Sequence, residues 1–163
     1  MSRMNRFKKL LRNMTIVGLT IVVLTSCTAN KSKGQEPSIG DIEREIKESV
    51  DISDMVQSDK EKLEKLYQVD GEDVEDFILY LPSKNIEANE LAIIKVKDVD
   101  KIDTIEANIA SRIEEKSNAF KDYLPDEYYL IEKHVLKTKD NYILFVISED
   151  GEYIEKIFDE SFK

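Results

Sequence analysis

The side chains that carry most enzyme chemistry are scarce in this chain. It holds one histidine, His134, and one cysteine, Cys27, so Ser-His-Asp or Cys-His hydrolysis would each depend on a single residue. His134 stands just before an apolar stretch, no G-x-S-x-G motif accompanies it, and it reads as a structural histidine. There is no P-loop and no G-x-G-x-x-G, and five glycines would hardly supply a phosphate cradle. One Cys and one His cannot build a usual structural zinc site. Carboxylates are the abundant reactive groups, 34 Asp and Glu in all, so adjacent pairs carry little weight. The densest group is Asp70, Glu72, Asp73, Glu75 and Asp76. It has the oxygen ligands calcium prefers but not the order of an EF-hand loop, and it reads as solvated acids at an element end. Neither a metal nor a cofactor is expected. Tyr123, Tyr128, Tyr129 and Tyr142, with Phe120, either line a groove around Leu124-Pro125 or pack in the core with phenolic tips in water.

Cys27 has a more specific setting. Arg3, Arg6, Lys8, Lys9 and Arg12 form a positive block without an acid, followed by the 11-residue apolar run Met14 to Leu24. A spanning helix needs about 20 apolar residues, so this run is too short, and the pattern is that of a secretory signal peptide. Its exit, Leu24-Thr25-Ser26-Cys27, resembles the bacterial lipobox. That resemblance implies a diacylglyceryl thioether on Cys27 and cleavage before it, with residues 1–26 removed. The alternative is a non-lipidated signal peptide with Cys27 incidental.

Charge then bears on partners. The whole chain has 24 Lys and Arg, a formal charge of -10 and a pI near 4.7. Residues 1–26 hold five basic residues and no acid; without them 19 basic face 34 acidic residues, a charge of -15. Nucleic acid is an unfavourable partner for such a surface. Anionic headgroups also repel it, so a domain held by acyl chains should stand off the bilayer. Residues 27–37 supply the lipidated Cys27 and a polar tether with Gly34 and Pro37.

The elements from residue 38 to 163 form one α+β domain on this reading. Ile39, Ile42, Ile46 and Val50 recur at helical spacing. Ser58-Asp59-Lys60-Glu61 reads as a capping box before a short helix with Leu63, Leu66 and Tyr67 inside. Phe77–Leu81, stopped by Pro82, and Leu91–Lys97 are strands that pair as a hairpin, the second half-exposed because Lys95 and Lys97 alternate with Ile94 and Val96. Asp100 caps a long helix with the stripe Ile102, Ile105, Ile109, Ile113 and Phe120, leaving Arg112 and Lys116 mostly outward. Pro125-Asp126-Glu127 starts a brief helix. Val135–Lys139 and Tyr142–Ser148 form a second hairpin about Asp140-Asn141, with Tyr142–Ile147 the central strand. A last helix carries Ile154, Ile157, Phe158 and Phe162. The expected architecture is an antiparallel sheet of about four strands, in two hairpins, with helices mainly on one face.

Several of these residues resemble a known family. The lipobox, the run Ala88-Asn89-Glu90-Leu91-Ala92-Ile93-Ile94-Lys95, the long helix, the segment from Phe120 to Tyr128 with its Tyr123-Leu124-Pro125 corner, and Asn141-Tyr142 are similar to bacterial lipoproteins of the domain of unknown function 4358 family. The family often has a glycine where this chain has Asp140, which bears on the turn type. The resemblance implies a lipoprotein on the extracytoplasmic face of the cell membrane, of Gram-positive type, and no activity.

The function expected is therefore a membrane-anchored binding or interaction module at the cell envelope, not an enzyme. Its partners are the membrane, through the lipid on Cys27, and an unidentified envelope protein or glycan. Glu90, Tyr123 and Pro125 are the candidate contact residues. The alternative is a small envelope enzyme or enzyme inhibitor that works with carboxylates alone, since two acids at a set separation suffice for glycoside hydrolysis. A solute-binding transporter subunit, which usually needs two larger lobes, comes third.

Overall fold

Apolar residues at alternate positions along three strands decide the architecture. In the computed structural model, which describes residues 36–163, Ile78, Leu91, Ile93, Leu144 and Val146 point to one side of a sheet. Their sequence neighbours Leu79, Ala92, Ile94, Ile143 and Phe145 point to the other. Both sides therefore need a cover, and helices supply it on each. Cys27 and the greater part of the expected tether lie outside the described residues.

The order of elements is α1 (Ile39–Ser49), β1 (Met55–Gln57), α2 (Lys60–Tyr67), β2 (Val74–Pro82), β3 (Glu90–Val96), a 3-10 turn (Val99–Lys101), α3 (Ile102–Phe120), α4 (Pro125–Glu132), β4 (Val135–Lys139), β5 (Tyr142–Ile147) and α5 (Gly151–Ser161). The sheet runs β1-β2-β3-β5-β4 with every neighbour antiparallel. Through Ile39, Ile42 and Ile46 of α1 and Ile154, Ile157 and Phe158 of α5, one face is closed. Leu63 and Tyr67 of α2, Ile105, Ile109 and Phe120 of α3 and Ile131 of α4 close the other.

The expected α+β class with an antiparallel sheet is the one observed, and both hairpins pair as read. Two features differ. A three-residue fifth strand, β1, adds to the outer edge of β2, and the helices divide between both faces instead of gathering mainly on one. The reason lies in β3, whose residues from Glu90 to Ile94 are all buried, so neither side is left to water. Lys95 does not mark a solvent face; its stem lies inside while its ammonium reaches Glu36 and Glu75 at the sheet margin. β3, not β5, is the middle strand of the five, although β5 is buried along its whole length.

Helix starts also shift by a residue or two. Asp59, not Ser58, caps α2 by accepting from the Lys62 amide at 2.9 Å. Asp98, not Asp100, caps the 3-10 turn that leads into α3. In both places the side chain that reaches the third amide along, or the second in the tighter turn, wins. Asp140 holds φ at 52°, the left-handed region that a glycine would occupy without strain.

Antiparallel pairing gives the sheet two distinct ends. At the near end the described chain begins: the Tyr142 hydroxyl donates to the Pro37 carbonyl at 2.7 Å and Lys95 pairs with Glu36 at 3.0 Å. At the far end lie the start of β3, the end of β5 and the loop Ser83–Asn89. Among the described residues no helix is long and apolar enough to cross a membrane.

Candidate functional site

Glu90 is the first residue of β3, and strand alternation turns it to the same face as Ala92 and Ile94. It is fully buried, with 0% exposure. An isolated carboxylate could not persist there, so its partners define the site. They come from two helices packed on that face. Arg112 and Lys116 stand one turn apart on α3 and so share a side of it. Their positions continue the inward series Ile105, Ile109 toward Phe120. Tyr67 closes α2 and lies edge-on to Phe145, ring centroids 6.1 Å apart.

The geometry satisfies both carboxylate oxygens. Arg112 Nε donates to Oε1 at 2.5 Å and Nη2 to Oε2 at 2.7 Å, the bidentate fork that only arginine offers. Lys116 Nζ donates to Oε2 at 2.8 Å and the Tyr67 hydroxyl to Oε1 at 2.5 Å. The Arg112 guanidinium also lies over the Tyr67 ring, 5.5 Å from its centre. Two cations share one anion, leaving the cluster one positive charge in excess.

This imbalance sets the protonation states. Burial pushes the Glu90 carboxyl upward, but the hydrogen bonds and charges of Arg112 and Lys116 outweigh it and hold it below its usual range. Tyr67 is driven well above its usual value by burial and by the neighbouring carboxylate. Burial lowers Lys116, and the single carboxylate it shares with Arg112 does not make good the difference. An ionised, enclosed carboxylate with every lone pair engaged has no proton to give and no room for a reacting atom. What the cluster does chemically is join α2, β3 and α3 by directional bonds.

Around it, at the far end of the sheet, polar contacts fix the loop before β3. Glu127 of α4 accepts from the Ala88 amide at 2.7 Å, and Asn89 hydrogen-bonds Asp54. The α3–α4 corner follows from which residues turn inward. Phe120 and Leu124 pack into the core, and the Tyr123 and Leu124 amides both bond back to the Phe120 carbonyl. Tyr123, between them, is left pointing outward at 83% exposure, and Pro125, the first residue of α4, is exposed beside it.

The three expected contact residues therefore separate. Tyr123 and Pro125 share a surface corner, whereas Glu90 faces the interior and offers nothing to an outside partner. Arg112 and Lys116, expected mostly outward, are its buried partners; their place in the three- and four-residue stripe was the signal that points inward. His134 is half-buried with Nδ1 2.7 Å from the Ile131 carbonyl. Within the acidic segment, Asp73 pairs with Lys101 and Glu75 with Lys95, and Asp70 accepts from the Glu72 amide. Among the described residues no group of three or more His, Cys, Asp or Glu is placed to hold a metal ion.

A family model described as Domain of unknown function (DUF4358) matches residues 48–148, more than half of the chain. The chain belongs to this family. The matched span contains Tyr67, Glu90, Arg112, Lys116 and the Tyr123–Pro125 corner, together with all five strands. It leaves out α5 and all but the end of α1, the two helices of the opposite face. No curated protein and no solved structure matches the chain.

Proposed function

We propose that this chain is a lipoprotein held on the extracytoplasmic face of the cell membrane by acyl chains on Cys27, and that its α+β domain is a binding module for a protein or glycan of the envelope. The observation that carries the reading is Leu24-Thr25-Ser26-Cys27 directly after five basic and 11 apolar residues. A sulfur nucleophile preceded by small residues is what thioether formation and cleavage at that bond require. Two acyl chains, at about 0.8 kcal/mol per buried methylene, hold a domain that one chain would release.

The domain's own chemistry favours binding over turnover. Its one fully buried carboxylate is engaged by four donors and closed to any substrate, while tyrosine, a side chain with an apolar body and a polar tip, stands free at the α3–α4 corner.

Mass spectrometry of the protein taken from membranes tests the anchor. The expected mature form begins at Cys27 and carries a diacylglyceryl thioether; Cys27→Ala abolishes the modification and moves the protein out of the membrane fraction. An unmodified thiol, or recovery of the product inside the cell, would overturn the proposal.

A further inference from the structure

The exposed hydrophobic side chains are distributed unevenly between the two ends of the sheet. Among the described residues the large exposed apolar or aromatic side chains are Val56, Ile86, Val99, Tyr123, Tyr129 and Tyr153. Ile86 lies in the far-end loop between β2 and β3, Tyr123 in the α3–α4 corner, and Tyr153 in the first turn of α5, which starts where β5 ends. Tyr129 is on α4, which crosses the far end from the Glu127 contact with Ala88 to the start of β4. Val56 sits on the edge strand opposite Leu81, one residue in from that end. Of the six only Val99, in the 3-10 turn that follows β3, belongs to the near end. Isolated surface hydrophobes need no explanation, but tyrosines gathered at one end are the composition of an interface core.

The charge around them is just as one-sided. Asp122, Asp126, Glu149 and Asp150 flank these residues, and none forms an ion pair among the described residues. Of the cations nearby, Lys156, one turn beyond Tyr153, forms no ion pair among the described residues, and the others are engaged: Lys84 with Glu87 at 2.6 Å, Lys121 with Asn118, and Lys133 over the Tyr129 ring at 4.3 Å. That last contact is the one a partner's Lys or Arg would make with Tyr123. Acids are also numerous at the near end, but there Lys95 and Lys101 pair with some of them and Val99 stands alone.

The chain's path gives the two ends different neighbours. Glu36 and Pro37 are pinned to Lys95 and Tyr142 at the near end. The far end is separated from that point by the six residues of β5, about 20 Å. We infer that the far end, centred on Tyr123 and Tyr129 and extending to Ile86 and Tyr153, is the docking surface, and that its partner is a protein segment presenting Lys or Arg among apolar side chains. This rests on the binding-module reading above and names the surface and the chemistry of its partner. Opposite charge steers the encounter, and the tyrosines, with few rotors to immobilise, supply contact area.

Photocrosslinking in living cells that make the full chain tests it. p-Benzoylphenylalanine replaces Tyr123, Tyr129 or, as the comparison, Val99. The expected result is a protein adduct from positions 123 and 129 and none from 99, with a captured peptide that is net positive. Asp122→Lys combined with Asp126→Asn, which keeps a cation out of the first turn of α4, lowers the adduct yield about tenfold at an unchanged thermal melt, as loss of about 1.4 kcal/mol would. Equal adducts from position 99, a polysaccharide adduct, an acidic captured peptide, or no adduct at all would each overturn the inference. Acylation of Cys27 is read in the same samples. Acylated protein without adducts sinks the docking surface alone, and adducts from unacylated protein sink the anchor alone.

Discussion

The two faces of the sheet are covered by different physics. Under α1 and α5 the interior of the layer is apolar: isoleucines of both helices and Phe158 lie on Ile78, Leu91, Ile93, Leu144 and Val146, and the main polar contacts, Tyr80 with Glu43, Tyr142 with Pro37 and Lys137 with Glu155 and Asp159, sit at its margin. Beneath α2, α3 and α4 the apolar layer is interrupted by Glu90 and its three partners. Hydrophobic burial is non-directional and tells a helix that it must pack, not where along the sheet it must stop. Hydrogen bonds from two cations and a phenol are directional. Sliding α3 by one turn would move each cation about 5 Å, bring one of them to the place of the other, break the bidentate fork of Arg112 and leave one cation inside without an anion. The three-helix face thus has a register fixed from within, whereas the directional contacts of the two-helix face lie at its margin.

The largest expected effect tests whether that difference is electrostatic. Glu90→Leu leaves two buried cations without an anion and should remove about 3–5 kcal/mol of stability in urea titrations. Replacing the cluster together (Tyr67→Phe, Glu90→Leu, Arg112→Met and Lys116→Met) should restore most of it, because no charge remains to be desolvated. If the cluster's role is register, the fourfold variant recovers stability yet shows more than one packing of α3, read as broadened amide resonances along Ile102–Phe120. A single sharp set of resonances would break the comparison between the faces.

On the apolar face, Ile46→Ala should cost about 3 kcal/mol, the usual sum of lost transfer energy and a residual cavity. Ile46 carries no charge and touches none of the cluster, so this cost should be the same at pH 7 and pH 4. A pH-dependent cost would show that the two faces are coupled through the sheet.

The pH profile sharpens the contrast further. Glu90 titrates lower in the folded protein than in the unfolded chain. Its contribution is therefore complete above its ordinary value of 4.5 and is lost as pH falls through the lowered value, where the unfolded chain takes up a proton first. Glu43, at the margin of the apolar face, is lowered too: burial works against it, but hydrogen bonds with Lys47 and Tyr80 prevail. Chemical denaturation between pH 3 and 7 should give a shallower acid limb in Glu90→Gln than in the wild type. Glu43→Gln, at a half-exposed site, should flatten it less. Equal flattening would place the two carboxylates on the same footing and remove the distinction.

Most elements could be read from the chain because each rests on local periodicity and local stops. Ile39, Ile42 and Ile46 repeat at helical spacing, Pro82 closes β2, and Pro125 opens α4. The faces were harder. Lys95 and Lys97 alternate with Ile94 and Val96, the pattern of a half-wet strand, yet β3 lies between two strands and beneath helices on both sides. Long lysine stems permit this, since only the ammonium must reach the margin. The same ambiguity hid the cluster. Arg112 and Lys116 occupy inward positions of the α3 stripe, but a charged residue is placed outside by any rule that reads residue type alone, and the exception depends on Glu90, more than 20 positions away in sequence. Tyr123 and Pro125 kept their surface place because Phe120 and Leu124, on either side, satisfy the core locally.

The smallest expected effects concern the two helix caps, and they bound how far the difference between the faces extends. Ser38 caps α1 on the apolar face by accepting from the Asp41 amide at 3.1 Å, and Asp59 caps α2 on the other by accepting from the Lys62 amide at 2.9 Å. Each bond satisfies one amide that the helix cannot, so Ser38→Ala and Asp59→Ala should each cost about 1 kcal/mol at pH 7. Neither cap touches the buried cluster, and the two should add to Glu90→Gln within a few tenths of a kcal/mol, as distant sites do. If Asp59→Ala instead couples to Glu90→Gln while Ser38→Ala does not, α2 is held in place through Tyr67 and not by its own cap. The fixed register would then extend from α3 to the whole three-helix layer.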